Sequence, residues 1–168
     1  MLNKKFSIPE TISLEEKYRL LIEQAVNLVK SESNLIANLA NISAVLYYSF
    51  DYFCWVGFYL LESDDELVLG PFQGKIACTR LKVGKGVCGT AVLKKETIIV
   101  PDVTKFEGHI YCDPDTKSEI VIPIGLNDKI IAVLDIDSYK LNAFSKVDKF
   151  YLELLIEKIN FIFEKKKI

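Results

Sequence analysis

Two aspartates near the C-terminal end of the sequence have a spacing that could bind a cation. Asp135 and Asp137 lie two residues apart in the run VLDIDS (residues 133–138), so in a β-strand both carboxylates point to the same face. Two carboxylates on a largely apolar strand repel each other and lose hydration unless a cation lies beside them. Two interpretations are open: the strand ends at Asp135 and leaves both acids in water, or the pair forms a pocket for a small cation such as an α-ammonium group.

Three further side chains could complete such a pocket. Glu119 begins the strand that is predicted to pair with the VLDIDS run, so its carboxyl could lie beside the aspartates. A carboxyl near other carboxylates in an apolar pocket has a raised pKa and can remain a proton donor. Trp55 and Tyr59 lie four residues apart on one face of an earlier strand. They could enclose a methyl or thioether group, and ordinary core packing is the alternative.

Three of the four cysteines lie where a thiol could react. Cys112 follows His109 in an irregular stretch, Cys78 lies on a predicted strand, and Cys88 lies near the start of a short helix, whose dipole favours a thiolate. The ordinary role of an isolated cysteine is that of a small buried hydrophobe. These three cysteines with His109 could also bind zinc, but their spacings lack the short paired ligands of structural zinc sites. We therefore predict no metal and, since no nucleotide-binding glycine motif occurs, no cofactor.

Composition limits the class of protein. The sequence has 168 residues, of which 50% are hydrophobic and 26% charged, as expected of a single globular domain. With 21 basic and 23 acidic residues the formal net charge is −2, which gives no electrostatic basis for binding nucleic acid or an anionic membrane. The longest apolar run, residues 52–61, is too short to cross a membrane. We expect a soluble cytoplasmic protein with reduced thiols.

The elements predicted around these residues form an α+β domain with an antiparallel sheet of about six strands. Apolar residues at helical spacing and capping residues predict helices at 13–31, from Leu35 to at least Leu46, and at 146–163, with Ser145 as N-cap. A glycine-rich turn at 84–95 opens a short helix, residues 1–12 are a tail, and 101–118 form a long loop of the kind that is usually functional. Strands are predicted at 52–61, 66–69, 75–82, 97–100, 119–125 and 129–137, the last two joined by a tight turn at Asn127–Asp128.

Five strings of the sequence resemble one known family. They are WVGFY (55–59), GPFQGKIAC (70–78), GVCGTA (86–91), GHIYCDPDTKSEIVIP (108–123) and VLDIDS (133–138). In this order they are similar to the free methionine-(R)-sulfoxide reductases, which are single GAF domains. The resemblance extends from about residue 34 to the C-terminal helix and implies a core of about 34–163, with the N- and C-terminal helices packed on one face of the sheet.

The resemblance also implies roles for the cysteines. Cys112 corresponds to the nucleophile, whose thiolate attacks the sulfoxide sulfur and retains the oxygen as a sulfenic acid. Cys78 corresponds to the cysteine that resolves this acid as a disulfide, which thioredoxin then reduces. Cys88 corresponds to an auxiliary cysteine of disulfide exchange, whereas Cys54 matches no family motif. The run that follows Cys112, with Tyr111 before it, departs from the commonest form of the motif.

The remaining implied roles concern the substrate. Glu119 and Asp137 would polarise the sulfoxide, Asp135 would bind the ammonium group, and Trp55 and Tyr59 would enclose the methyl end. A homodimer through the N-terminal helices is a further expectation. The alternative functions are a sensory GAF module that binds a small ligand without turnover, and a metal-bound interaction protein. A sensory module ordinarily forms part of a longer chain with an output domain.

Overall fold

The computed structural model describes residues 11–164 as helices on both sides of one antiparallel sheet. Residues 1–10, most of the predicted tail, lie outside the described residues, as do residues 165–168. The helices are α1 (Leu14–Val29), α2 (Leu35–Ser49), α3 (Gly86–Lys94), α4 (Lys146–Ile159) and α5 (Phe161–Glu164), and a 3-10 turn covers Val103–Lys105. The strands are β1 (Trp55–Ser63), β2 (Glu66–Gln73), β3 (Arg80–Lys82), β4 (Ile98–Val100), β5 (Ser118–Leu126) and β6 (Lys129–Ser138).

The strand order across the sheet is β3-β2-β1-β6-β5-β4, with antiparallel neighbours throughout. The β5–β6 hairpin closes at Asn127 and Asp128, which both have positive φ, the conformation that a two-residue hairpin turn requires. Strands β1 and β6 lie at the centre, so their side chains are covered on both faces. The predicted six-stranded α+β fold is confirmed.

The two faces of the sheet carry different layers. Helices α1, α2, α4 and α5 cover one face, where Leu134 and Ile136 of β6 are fully buried. Helix α3 and the loops around it cover the other face, on which Val133 of β6 is buried. Because side chains alternate along a strand, Asp135 and Asp137 point with Val133 toward α3. The terminal helices therefore pack on the face opposite the acids, and α3 with the neighbouring loops forms the layer over them.

A buried carboxylate fixes the helical layer. Ser145 caps α4 in a capping box with Asp148, which satisfies backbone N–H groups at the start of the helix. The Oδ1 atom of Asp148 also accepts hydrogen bonds from the hydroxyls of Tyr18 (2.8 Å) and Tyr52 (2.5 Å). The Asp148 side chain thus joins three elements: helix α1, the segment before β1 and helix α4. All three lie on the face of the sheet opposite the acids.

Several predicted boundaries were wrong. The second strand continues to Gln73 rather than ending at 69, and the helix predicted at 146–163 is divided into α4 and α5. The third strand covers only Arg80–Lys82, rather than 75–82, because Gly74 has a φ of +128° and turns the chain out of the sheet. The first strand begins at Trp55, rather than residue 52. Within residues 11–164, none of the helices has both the length and the apolar character of a membrane-spanning helix.

Candidate active site

The register of the central strands brings three acids together on the face toward α3. Asp137 of β6 lies between Trp55 of β1 and Glu119 of β5, which are its partners in the two ladders. Asp135, two residues earlier, pairs with Gly57 in the same way. Strand β6 continues to Ser138, so the interpretation that it ends at Asp135 with both acids in water was wrong. Glu119 is 6% exposed and Asp135 7%.

An aromatic wall stands beside the acids. The rings of Trp55 and Tyr59 are stacked with centroids 6.0 Å apart, and Phe72 of β2 stacks on Trp55 at 5.4 Å. The indole occupies the space above Gly57, where an added Cβ would lie only 2.3 Å from a ring carbon. Gly57 is therefore required for the indole to lie over the strand. Phe72 carries no signal of this role in the sequence, and its position follows from the β1–β2 register.

The two cysteines that the resemblance pairs are joined. Cys78 and Cys112 form a disulfide with a Cα–Cα distance of 5.5 Å, although the residues lie on separate loops. Cys88 and Cys54 are free thiols. Cys88, at the first turn of α3, is buried and contacts the Asp135 carboxyl. The zinc site that Cys78, Cys88 and Cys112 with His109 could have formed is not assembled here, because two of its sulfurs are bonded to each other.

A single cavity connects these groups. The space open to the centre of a water molecule within it is about 40 Å³, enough for a few waters. All the predicted site residues except Cys78 line it; the lining includes Trp55, Tyr59, Cys88, Cys112, Glu119, Asp135 and Asp137. Cys112 therefore lines the same cavity as the acids and the indole.

His109 also lines the cavity, and the sequence analysis considered it only as a zinc ligand. Its Nε2 atom lies 3.2 Å from Oε2 of Glu119, and both side chains are buried. Burial lowers the pKa of His109, so the neutral imidazole is favoured and the contact is a hydrogen bond rather than an ion pair. The signal that could have identified this residue is that it is the one histidine of the sequence, three residues before Cys112.

The electrostatics of the cavity favour protonated acids. Burial, followed by the neighbouring Asp137, raises the pKa of Glu119 well above its ordinary value. Burial and Glu119 raise the pKa of Asp135, and burial and Asp135 raise that of Asp137. Burial and the same acids raise the pKa of the Cys88 thiol. Each acid therefore holds its proton more tightly than a solvated carboxyl does, and a cation bound beside it would favour release of that proton.

Unpaired atoms indicate where such a cation could bind. Among the buried side-chain atoms of residues 11–164, Oδ1 of Asp135 and Nδ1 of His109 have no hydrogen-bond partner. An unpaired buried polar atom is costly unless a ligand or water contacts it. The donor atoms of Cys88, Glu119 and Asp135 lie within 4.8 Å of one another, so these are the residues that could hold a metal ion. The same oxygens could instead bind an ammonium group.

Comparison with known proteins identifies the family. The GAF domain family matches residues 13–164. The sequence is 50% identical over 132 residues to the free methionine-R-sulfoxide reductase of Escherichia coli, covering 79% of both chains. It is 45% identical over 156 residues to the enzyme of that name from Saccharomyces cerevisiae, covering 89% of this chain and 87% of the relative. The chain belongs to the free methionine-R-sulfoxide reductase family.

A solved structure extends this family assignment to the fold. The free methionine-R-sulfoxide reductase of Neisseria meningitidis, solved in complex with its substrate, superposes on the chain with a TM-score of 0.91 and 42% sequence identity. The match covers 98% of this chain and 97% of that one. The fold and the family that the sequence motifs imply are therefore confirmed. Membership of the reductase family also places the chain among oxidoreductases.

Proposed function

We propose that this chain reduces free methionine R-sulfoxide to methionine. The observation that carries the proposal is the bond between Cys78 and Cys112 beside a cavity lined by three acids and two aromatic rings. Turnover of the R epimer with a dithiol reductant, and none of the S epimer, is the test. A chain that binds the sulfoxide but releases no methionine would instead be a sensory module.

The first step is the transfer of oxygen to Cys112. The Cys112 thiolate attacks the sulfoxide sulfur, a proton is delivered to the sulfoxide oxygen, and methionine leaves as the oxygen becomes the hydroxyl of a Cys112 sulfenic acid. Delivery of the proton requires a neutral acid near the thiolate. Glu119 and Asp137 meet that requirement because burial and neighbouring carboxyls raise the pKa of each.

The second step forms the disulfide. The Cys78 sulfur attacks the sulfur of the sulfenic acid, an S–S bond forms, and the hydroxyl leaves as water with one proton. An external dithiol must then reduce the bond, and we propose thioredoxin for that role, acting in the cytoplasm. Cys88 lies outside the disulfide, so an auxiliary part in exchange would require movement of the Cys112 loop during the cycle.

Recognition of the free amino acid is the third part of the proposal. Asp135 would bind the α-ammonium through its unpaired Oδ1 atom, and Trp55 and Tyr59 would enclose the methyl group. A methionine sulfoxide within a protein has no ammonium group and would leave the buried carboxyl unpaired. Unpaired buried polar groups can give discrimination of about 10⁴-fold.

A homodimer through the N-terminal helices stays a prediction, which sedimentation analysis can test.

Replacing Cys78 with serine should separate the two steps. The variant should release one equivalent of methionine as the wild type does, because the nucleophile and the acids are unchanged. Later turnovers should be slow, since the sulfenic acid of Cys112 has no neighbouring thiol to resolve it. A rapid-quench assay of methionine followed by steady-state rates measures both steps. Unchanged steady-state rates would refute the resolving role.

Replacing Asp135 with asparagine should weaken binding of the substrate more than it slows its reaction. The amide cannot supply the negative charge that pairs with the ammonium, so we expect KM to rise about 10- to 100-fold with a smaller change in kcat. Steady-state kinetics with the free R-sulfoxide measure the split. A fall in kcat at constant KM would instead assign Asp135 to the chemical step.

The same substitution should not destabilise the fold at neutral pH. Because the pKa of Asp135 is raised on folding, the unfolded state releases a proton that the folded state retains. The contribution of Asp135 to the free energy of unfolding therefore falls as the pH rises from the ordinary pKa of an aspartate toward the raised pKa of the folded state. Denaturation of Asp135→Asn at neutral pH should give a free energy of unfolding equal to or above that of the wild type.

A further inference from the structure

The segment between β2 and β3, residues 74–79, carries Cys78 and is held by the aromatic wall. The indole Nε1 of Trp55 donates a hydrogen bond to the backbone carbonyl of Lys75 at 3.0 Å. The Tyr59 hydroxyl donates to the carbonyl of Cys78 at the same distance. Both bonds are made by side chains of the central strand β1, so this side of the segment is anchored to the sheet.

The side chain of Lys75 connects the segment to the loop that carries Cys112. Its Nζ atom lies 2.8 Å from Oδ2 of Asp115 and 3.1 Å from Oδ2 of Asp113, the residue next to Cys112. It also lies 5.1 Å from the centre of the Tyr139 ring. The Tyr139 hydroxyl donates to the same Oδ2 atom of Asp113 at 2.9 Å, which ties the loop to the end of β6.

These contacts differ in how much they can stabilise the link between the two segments. Asp115 is 69% exposed and Lys75 53%, and a pair so accessible to water contributes little. The Asp113 side chain is only 11% exposed, and its Oδ1 atom is occupied by the backbone N–H of Asp115. Among the ion pairs of residues 11–164, those of Lys75 are the ones that join the Cys78 segment to the Cys112 loop. Of the two ion pairs of Lys75, the one with Asp113 is therefore the better shielded from water.

We propose that Lys75 is a positioning residue for disulfide formation. Once Cys112 carries the sulfenic acid, the Lys75–Asp113 contact holds its loop against the segment of Cys78, so that the Cys78 sulfur is close enough to attack and displace water. Lys75 does not touch the reacting atoms; it raises the effective concentration of one thiol beside the other. This inference rests on the proposed function, since it concerns the second step of that reaction.

The test compares Lys75→Met with Lys75→Arg in a single turnover of the reduced protein without reductant. Methionine release reports the first step, and trapping of the sulfenic acid by a dimedone-type probe reports its lifetime. In Lys75→Met we expect methionine release at the wild-type rate and disulfide closure about three- to tenfold slower. Lys75→Arg, which keeps the charge, should restore most of the closure rate.

Two controls distinguish positioning from a general effect of charge. Lys82→Met removes a lysine of β3 that pairs with Asp65 and Glu66 at the start of β2, and it should close at the wild-type rate. Salt of about 0.5 M should slow closure in the wild type and leave Lys75→Met unchanged, because the half-exposed ammonium of Lys75 lets ions screen its pair with Asp113.

The outcomes separate this inference from the function on which it rests. Closure at the wild-type rate in Lys75→Met, or equal slowing of methionine release and closure, would overturn the positioning role while leaving the reductase activity intact. Absence of methionine release from the wild-type protein would overturn the proposed function itself.

Discussion

Replacing Cys112 with serine should abolish turnover of free methionine R-sulfoxide, to less than about a thousandth of the wild-type rate. A serine hydroxyl is not ionised near neutral pH and is a far weaker nucleophile than a thiolate, and it cannot form the bond to Cys78. Methionine release in the presence of a small dithiol measures the reaction without depending on the identity of the physiological reductant. Binding of the sulfoxide should persist, because the acids and the aromatic wall are unchanged.

The matched control is Cys54→Ser. Cys54 is a free thiol that does not line the cavity, and burial, with Asp137 nearby, raises its pKa to about 12. Such a thiol is protonated at neutral pH, so its loss should leave turnover at the wild-type rate. If Cys112→Ser retained turnover that disappeared on removal of Cys54 or Cys88, the nucleophile would be that other cysteine.

Replacing Glu119 with glutamine should lower kcat by about 10²- to 10⁴-fold, the usual contribution of a general acid. Glutamine has nearly the same shape and can still form a hydrogen bond with His109, but it has no acidic proton to transfer. Steady-state kinetics should show the loss in kcat with a smaller change in KM. The same measurement on Asp137→Asn decides which of the two carboxyls delivers the proton, since only the donor should show the full loss.

The pH profile provides a second test of Glu119. Burial and Asp137 raise its pKa, so the carboxyl keeps its proton to a higher pH than a solvated glutamate does and ionises as the pH rises through the raised value. The wild-type kcat should therefore decline on the alkaline side. In Glu119→Gln the rate should be low throughout, without that decline. A Gln variant that retains the wild-type alkaline decline would assign it to a different group.

The sheet and its acids could be predicted from the sequence because their signals are local. The alternation in residues 129–137 and the tight turn at 127–128 fix the β5–β6 hairpin, and that hairpin places Glu119 opposite Asp137. Trp55 and Tyr59 share one face of β1 because they are four residues apart, and the β1–β6 register puts that face on the side of the acids. Strand periodicity therefore predicted which side chains share a face within a strand, although it left the β1–β6 register, Phe72 and the roles of these residues open.

The remaining parts of the site depend on loops, for which periodicity gives no information. The pairing of Cys78 with Cys112 came from the family resemblance, since three cysteines on separate segments allow more than one pair. The ladder ends at Gly74, where a positive φ turns the chain, and no local pattern in 75–79 reveals that the segment leaves the sheet. The contacts of Lys75 with Asp113 and of His109 with Glu119 join residues brought together by the tertiary fold and the path of the Cys112 loop.

The hydrogen bonds from Trp55 and Tyr59 to the backbone around Cys78 restrict how the enzyme could be engineered. A smaller side chain at either position would widen the cavity, but it would also remove an anchor of the segment that carries Cys78. If the proposed roles hold, the range of substrates and the number of turnovers are therefore coupled through these two side chains. Variants selected for broader range should need a compensating change in residues 74–79 before they sustain many turnovers.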